Sequence, residues 1–255
     1  MKRVGDLLAD LQLPASTGAD APPEPPGHLA ANGELLHDLG ADLPAGHLHL
    51  WGGPRGAGKT AFLLALLHGA AARRRRVLYA TYHLPASTLA LRLLAMVGGL
   101  DVRALANHSF TPEQAHAASA ARTALAELDL WILEARGLSA TSLEDRLVRM
   151  PFRADVLGVD YLQAVIRPGG QDLGGLVRQL SDLASRHHIA VIGAMEADEE
   201  PREVGRLADR TGWLAPSGAS GARRAEVIEN RYGPRAAIGL QLDEATGLLR
   251  RLAPA

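Results

Sequence analysis

The chain has 255 residues, 47% of them hydrophobic and 22% charged, which is ordinary for a globular protein with one large α/β domain and at most a short appendage. The formal net charge is −1, which excludes a global electrostatic attraction to nucleic acid or to an anionic membrane. No cysteine is present, so disulfides, cysteine-ligated zinc and thiol catalysis are excluded as well.

The N-terminal residues are predicted to be an appendage to the main domain. They contain no apolar core of signal-peptide length, and no later run approaches a membrane span, so we expect a cytoplasmic protein with no membrane partner. Val4 to Leu13 predicts a short amphipathic helix, which alone is marginal in water and therefore either frays or docks on something, for example a neighbouring subunit. The Pro-, Gly- and Ala-rich stretch that follows predicts an extended linker. The expected units are a helix (1–13), a linker (14–29) and one domain (30–255).

A phosphate-binding motif lies near the start of the main domain. The apolar run from Leu48 leads directly into G-P-R-G-A-G-K-T, and an apolar helical pattern follows at once, as this motif requires. The glycines allow main-chain N–H groups to surround phosphate oxygens, and the helix adds the positive end of its dipole. Lys59 is expected to reach the β- and γ-phosphates, and the Thr60 hydroxyl to hold Mg²⁺. The predicted nucleotide-binding residues are Gly53, Pro54, Arg55, Gly56, Ala57, Gly58, Lys59 and Thr60.

Strand-like and helix-like runs alternate through the rest of the chain. After the strand from Leu48, strands are predicted at residues 77–81, 129–134, 155–160, 189–195, 225–228 and 237–242. Helices are predicted at residues 61–72, 85–97, 111–128, 141–150 and 176–188, with a capping box from Thr141 to Glu144 opening the fourth. The run Arg73–Arg76 is either a nucleic-acid patch or, as we favour, a solvated helix end. The alternation indicates a mostly parallel central sheet flanked by helices.

A second carboxylate is needed to orient the metal ion at a phosphate loop. Asp160 ends the apolar strand V-L-G-V, as the metal-orienting aspartate of P-loop enzymes does. The alternative is an aspartate that only caps a turn. Asp129 precedes its strand and is a poorer candidate. The two motifs together predict binding of ATP and Mg²⁺, with Thr60 and Asp160 as the metal-holding pair.

The residues around this aspartate extend the pattern. Asp160-Tyr161-Leu162-Gln163 resembles the D-Y-L-Q signature in the C-terminal motor domain of the DnaB-type replicative helicases. Residues 77–94 resemble that family's segment around S-L-E-M-P. Residues 130–147 resemble the segment that precedes the family's aspartate, and residues 190–196 resemble its strand that ends in Ser-Gln. Arg231-Tyr232-Gly233-Pro234 resembles its Arg-Asn-Gly-Pro. The order and spacing of these segments, over residues 30–250, carry the resemblance.

The resemblance implies a RecA-like P-loop ATPase core that assembles as a homo-oligomeric ring, with a hexamer as one ring size. Nucleotide sites would lie between subunits, with Lys59 and Asp160 as catalytic residues and Arg231 as a finger that reaches a neighbour's site. The N-terminal helix would correspond to an element that the family docks on an adjacent subunit. Single-stranded DNA and replication or repair proteins are the implied partners.

Three positions depart from the family's pattern. His83 stands where the family has the catalytic glutamate that positions the attacking water. Glu196 stands at the position of the strand-end glutamine, and Glu229 replaces a lysine two residues before Arg231. Loss of the general base alone lowers a rate by about 10²–10⁴-fold, which Glu196 could partly restore if it turned into the site.

The loops that the resemblance places near DNA are weak candidates for DNA binding, because one is short and the other, residues 198–210, mixes acidic and basic residues. The first, at residues 167–171, is short. Arg202, Arg206 and Arg210 recur at four-residue spacing and could form a phosphate-contacting stripe on one helix face. We favour a surface helix with ion pairs to its acidic neighbours. Two further candidates for DNA contact, Arg223 and Arg224, lie in a loop predicted at residues 217–224.

Four functions are compatible with these observations. The one that the family resemblance favours is a DnaB-like ATPase that acts in DNA replication, recombination or repair. A catalytically weak or inactive relative, using ATP as a regulatory ligand in an accessory protein, would explain the departures at His83 and Glu229. A RadA- or KaiC-like ATPase is a third reading, which the D-Y-L-Q tetrad disfavours. A small-molecule kinase is the weakest, because no Arg- or Lys-rich substrate lid is visible.

Overall fold

The computed structural model describes residues 1–9, 11, 43–166 and 172–252. The predicted linker (14–29) and the loop at residues 167–171 lie outside these ranges. Residues 30–42, the first part of the predicted main domain, also lie outside them. No helix in the described part of the chain has both the length and the apolar character needed to cross a membrane.

The described residues form one sheet with a parallel centre and antiparallel edges. Its strands are β1 (Lys2–Arg3), β2 (Leu48–Gly53), β3 (Val77–Thr81), β4 (Leu130–Glu134), β5 (Val156–Asp160), β6 (Ala190–Glu196), β7 (Arg210–Pro216), β8 (Ala222–Asn230), β9 (Ala237–Leu242) and β10 (Leu249–Arg251). They lie in the order β1-β4-β3-β5-β6-β2-β7-β8-β9-β10. Pairing is parallel from β4 through β7 and antiparallel elsewhere. The strands β2, β3 and β5 are buried at every position, as expected for central parallel strands covered on both faces.

Helices cover both faces of this sheet. They are α1 (Val4–Ala9), α2 (Lys59–Ala72), α3 (Ala86–Gly98), α4 (Val102–Ala106), α5 (Pro112–Ala126), α6 (Ala140–Val148), α7 (Leu173–His187) and α8 (Arg202–Gly205), with a 3-10 turn at Leu162–Ala164. Helices α1, α2, α3 and α5 bury their apolar side chains in one core, and α6 and α7 bury theirs in a second core on the opposite face. The prediction of a mostly parallel α/β sheet flanked by helices is therefore confirmed.

Local capping differs from the sequence prediction at two helices. Helix α6 begins one residue before Thr141, because the Ser139 hydroxyl caps it by accepting a hydrogen bond from the Ser142 N–H at 3.1 Å. The predicted capping box from Thr141 was therefore wrong. The predicted helix at residues 176–188 begins earlier, at Leu173, because the Asp172 carboxylate accepts from the Gly175 N–H at 2.6 Å. Both caps are standard ones that lie just outside the predicted boundaries.

Two arginine-bearing segments also fold differently from the prediction. Only Arg202–Gly205 is helical in the segment that was predicted as a surface helix through Arg210, and Arg210 begins strand β7 instead. The three arginines therefore do not share one helix face. Residues 222–224, predicted as loop, form the start of β8, which pairs with both β7 and β9. In both cases sheet pairing with distant residues determined a local structure that the sequence pattern alone left undetermined.

The N-terminal segment docks on the chain's own domain. Strand β1 pairs antiparallel with β4, and α1 contacts α3 and α5. Val4 and Leu8 are both 0% exposed in the core beneath these helices. At Gly5 an added Cβ would lie 3.0 Å from the Ala126 Cα, so the close approach of α1 to α5 depends on a glycine. Of the two outcomes expected for this helix, fraying or docking, the structure has docking.

Two buried histidines make the fold sensitive to acid. His49 in β2 and His68 in α2 are 1% and 0% exposed. Burial, together with a smaller contribution from the Arg210 charge, lowers the pKa of His49 to about 3, and burial lowers the pKa of His68 to about 4. An unfolded-chain histidine has a pKa of about 6.5 and is mostly protonated at pH 5. The unfolded state then binds more protons than the fold, so stability is full above about pH 6.5 and falls as the pH drops toward 4.

We expect each of these histidines to lower the free energy of unfolding by about 2 kcal/mol between pH 7 and pH 5. Replacing His68→Leu removes one of the two groups and should make the pH dependence shallower by that amount, as measured by urea denaturation across this range. His108→Asn, a change at an exposed position, is the control and should leave the slope unaltered. A His68→Leu protein with the original slope would contradict this account.

Candidate functional site

The carboxyl ends of the central parallel strands bring the predicted site residues to one edge of the sheet. In the strand register Gly53 of β2 lies beside Glu196 of β6, and Asp160 of β5 lies beside Thr81 of β3. Residues far apart in sequence therefore meet here because parallel strands that are paired in register end at the same level. This edge is where open α/β sheets bind their ligands.

The phosphate loop connects β2 to α2 at this edge. Gly56 and Gly58 have φ values of 79° and 92°, in the left-handed region that favours glycine. A Cβ at Gly53 would lie 2.3 Å from the Leu214 carbonyl oxygen, so the loop can leave β2 against β7 only with glycine there. Helix α2 then begins at Lys59, and its N-terminus points the positive end of the helix dipole toward the loop.

The Lys59 ammonium lies across this loop. Its Nζ donates to the carbonyl oxygens of Gly53 at 2.9 Å and Pro54 at 2.8 Å. Desolvation lowers the pKa of Lys59, while the nearby charges of Glu196 and Asp160 raise it. A cation held at the mouth of a glycine-rich loop is placed to bind phosphate oxygens.

Asp160 is held by two hydroxyl groups. The Thr60 Oγ1 donates to Asp160 Oδ2 at 2.9 Å, and the Tyr79 hydroxyl donates to the same oxygen at 2.7 Å. Asp160 is 2% exposed, so its carboxylate is buried at the base of the site. The hydroxyl and the carboxylate that were predicted to hold a metal ion together are thus in direct contact.

A pocket of about 790 Å³ opens above these groups, within the size range of small-molecule sites. The phosphate loop, Asp160, His83, Tyr161 and Glu196 line it. The apolar side chains of Leu64, Met96, Val102 and Leu242, with the turn between β9 and β10, also line it. A lining that combines phosphate-binding groups with apolar side chains suits a nucleotide.

His83 and Glu196 both reach this pocket. His83 is half-buried, and its ring lies edge-on to that of Tyr161 with the centroids 5.2 Å apart. Glu196 is exposed at the end of β6. Its main chain is fixed by Gln163, whose amide donates to the Glu196 carbonyl at 2.5 Å and accepts from the Glu196 N–H at 3.1 Å. This reciprocal pair links the end of the D-Y-L-Q tetrad to the end of β6.

Arg223 lies beside the phosphate loop. Its Nε donates to the Ala57 carbonyl at 3.0 Å, and its guanidinium is 3.6 Å from the Glu244 carboxylate. It is 7% exposed and lines the pocket, so the prediction that it lies in a loop was wrong, and this position does not suit the DNA contact proposed for it. Burial in β8 explains the difference, since the strand's alternation turns this side chain inward and that of Arg224 outward.

The other arginines predicted for DNA contact, and the predicted finger Arg231, lie outside the pocket lining that the described residues form. Arg202 pairs with Glu200 at 2.9 Å and Arg224 with Glu226 at 2.9 Å. Arg210 is 9% exposed and so is poorly placed for a surface contact. Arg231 is exposed, and its guanidinium donates to the Arg206 carbonyl. Within one chain, Arg231 is therefore at a surface and not at the site.

Several pocket residues escaped the sequence reasoning. Arg92 of α3 and Glu244 of the β9–β10 turn line the pocket, and Tyr79 reaches Asp160 from within β3. None of these lies in a recognisable local motif. For Tyr79 the only sequence signal was a phenol hydroxyl within a strand, V-L-Y-A-T, that is apolar apart from Tyr79 and its last residue.

The donor set fits a nucleotide-bound Mg²⁺. Within the described ranges there is no group of three or more His, Asp or Glu side chains that could hold a metal by themselves. Mg²⁺ bound with a nucleotide needs only one or two protein oxygens, because phosphates and waters supply the rest. Thr60 Oγ1 and Asp160, which are in contact at 2.9 Å beside the phosphate loop, provide such a pair.

Comparisons with known proteins agree with this geometry. The model of the DnaB-like helicase C-terminal domain matches residues 34–202. A DnaB-like replicative helicase, solved in a study of its interactions with primase, superposes with a TM-score of 0.74 at 16% identity, covering 83% of this chain and 58% of that one. The ATPase domain of G40P superposes with a TM-score of 0.76 at 17% identity, covering 88% and 90%. No curated protein matched the chain.

The structural neighbours establish the fold, and the family model establishes the lineage. Superposition on helicase ATPase domains confirms the RecA-like architecture predicted from the sequence. The chain spans just over half of the first of these neighbours, so that protein's activity as a whole does not transfer directly. Because the family model matches more than half of the chain, this protein belongs to the DnaB-like helicase C-terminal domain family.

Proposed function

We propose that this DnaB-like RecA-fold protein binds ATP with Mg²⁺ and hydrolyses it in DNA replication, recombination or repair. The observation that carries the proposal is the contact of Thr60 Oγ1 with Asp160 at 2.9 Å, beside Lys59 at the mouth of the phosphate loop. This arrangement puts a phosphate-binding cation and a metal-holding oxygen pair in one pocket.

Each residue then has a defined task. The loop N–H groups and Lys59 bind the β- and γ-phosphates, while Thr60 and Asp160 hold the metal ion. The bound Mg²⁺ supplies positive charge that neutralises the charge developing on the phosphates during transfer. The remaining requirement is a group that orients the attacking water and accepts its proton.

His83 and Glu196 are the candidates for that group, since both line the pocket. A neutral imidazole can accept a proton, but it lacks the negative charge of the family's glutamate. Glu196 has the charge, and its main chain is fixed by Gln163 while its side chain is exposed. We therefore expect turnover to be slow compared with an enzyme that has the glutamate.

The oligomer and the DNA contacts are part of the same proposal. The exposed position of Arg231 suits a residue that acts at a neighbour's site in a homo-oligomeric ring. Arg202, Arg206 and Arg224 are exposed and are the proposed contacts for single-stranded DNA, whereas Arg210 and Arg223 are buried.

A second candidate function is an accessory protein that binds ATP without hydrolysing it. His83 at the position of the glutamate favours it, as does Glu229, which pairs with Arg235 at 3.3 Å where the family has a lysine. In such a protein the nucleotide would act as a regulatory ligand. A measurement of ATP turnover distinguishes this accessory protein from the ATP-hydrolysing protein proposed first.

The first test is binding of a fluorescent ATP analogue. The chain has two lysines, Lys59 and Lys2. Lys2 lies in β1, at one end of the sheet, and the antiparallel strands β8–β10 lie at the opposite end. Lys59→Ala should weaken binding by roughly 30- to 150-fold, because a charge-assisted contact worth about 2–3 kcal/mol is lost. Lys2→Ala is the matched control and should bind as the unmodified protein does. Equal affinity in all three proteins would refute the site.

The second test is ATP turnover with and without single-stranded DNA, using Lys59→Ala as the blank. Turnover that rises with DNA is the result expected of a motor. Tight nucleotide binding with turnover at the level of the blank would instead support the accessory protein.

Replacing His83 should show whether the missing glutamate limits turnover. His83→Glu restores a carboxylate at this position and should raise the rate by about 10-fold or more, toward the usual contribution of a general base. His83→Gln is the control, similar in size but unable to accept a proton, and should lower the rate. A lower or unchanged rate in His83→Glu would contradict the explanation that the missing glutamate limits turnover.

A further inference from the structure

Tyr79 is a buried hydroxyl aimed at the metal-holding carboxylate. It lies in β3, two residues before Thr81, the register neighbour of Asp160 in β5. Its side chain is 0% exposed, and its hydroxyl donates to Asp160 Oδ2 at 2.7 Å. The Thr60 hydroxyl donates to the same oxygen, so neither of these two bonds uses Oδ1.

This hydroxyl does more than fill the core. A phenylalanine would supply the same apolar contact without the cost of desolvating a polar group. Instead, the phenol uses its proton in the 2.7 Å hydrogen bond that it donates to the Asp160 carboxylate.

The two hydroxyl groups that donate to Asp160 differ in what else they can bind. The Thr60 hydroxyl has a single proton, and its lone pairs are what a metal ion would use. The Tyr79 hydroxyl is enclosed within the sheet and has no such second task in the site. Its hydrogen bond therefore holds the carboxylate independently of how Thr60 is engaged.

We propose that Tyr79 is a positioning residue for metal-assisted nucleotide binding, which fixes Asp160 through Oδ2 so that Oδ1 is presented to the coordination shell of the nucleotide's Mg²⁺. This inference rests on the proposed function, because it assumes that ATP binds with Mg²⁺. Groups that orient metal-holding side chains typically contribute 10- to 100-fold to metal affinity.

The test is Tyr79→Phe, which removes only the oxygen. Binding of a fluorescent ATP analogue would be titrated with Mg²⁺ and repeated in EDTA. The variant should need about 10-fold more Mg²⁺ for half-maximal enhancement of binding, since the carboxylate loses its fixed orientation. Its affinity in EDTA should be unchanged, because Lys59 and the loop N–H groups are intact.

Tyr82→Phe is the matched control. Tyr82, the residue directly after β3, is 3% exposed, and among the described residues its hydroxyl has no hydrogen-bond partner. Its substitution should leave the Mg²⁺ requirement unaltered. In an Asp160→Asn background, adding Tyr79→Phe should have no further effect, because Tyr79 acts through the carboxylate.

The outcomes separate the inference from the function on which it rests. No Mg²⁺-dependent binding by the unmodified protein would refute the proposed function itself. Normal Mg²⁺ dependence in both the unmodified protein and Tyr79→Phe would overturn the positioning role alone. A Tyr79→Phe protein that weakens binding equally in Mg²⁺ and EDTA, or fails to fold, would also overturn it, since the hydroxyl would then be structural.

Discussion

The in-register parallel pairing of β3, β5, β6 and β2 is the constraint on which the site depends. Gly53, Thr81, Asp160 and Glu196 belong to four separate strands, and the register alone brings their ends to one level. A shift of one residue in β5 would turn its side chains to the opposite face and separate Asp160 from Thr60. The apolar sequences of these strands therefore serve the chemistry as well as the core, because burial on both faces fixes the register.

A feature of the fold or of the site could be predicted when it depends on residues close together in sequence, and could not when it depends on residues far apart. The phosphate loop and Asp160 could be found from sequence because each depends on a short run of neighbouring residues. The Tyr79–Asp160 bond and the pocket position of Arg92 depend on strand order and on helix packing, which no local pattern encodes. The helix predicted through Arg202, Arg206 and Arg210 was wrong for a related reason, since four-residue spacing is compatible with a helix but does not require one.

Two of the three departures from the family pattern, His83 and Glu196, line the pocket, whereas Glu229 is not among its lining residues. The phosphate loop, Thr60 and Asp160 keep the residue types of the family's pattern. Under the proposed function, nucleotide affinity would depend on Lys59 and Asp160, and the rate of hydrolysis on the residue at position 83. Binding and turnover would then be able to vary separately.

The docked N-terminal segment has a consequence for how this protein behaves in concentrated solution. Without Lys2–Ala9, strand β4 would be an open sheet edge, with unpaired N–H and C=O groups beside the apolar surface that Val4 and Leu8 now cover. Such an edge is a template for pairing with another chain, and so a starting point for aggregation. The two residues of β1 occupy that edge while offering only a very short new one. The segment thus protects the sheet from self-association in addition to completing the core.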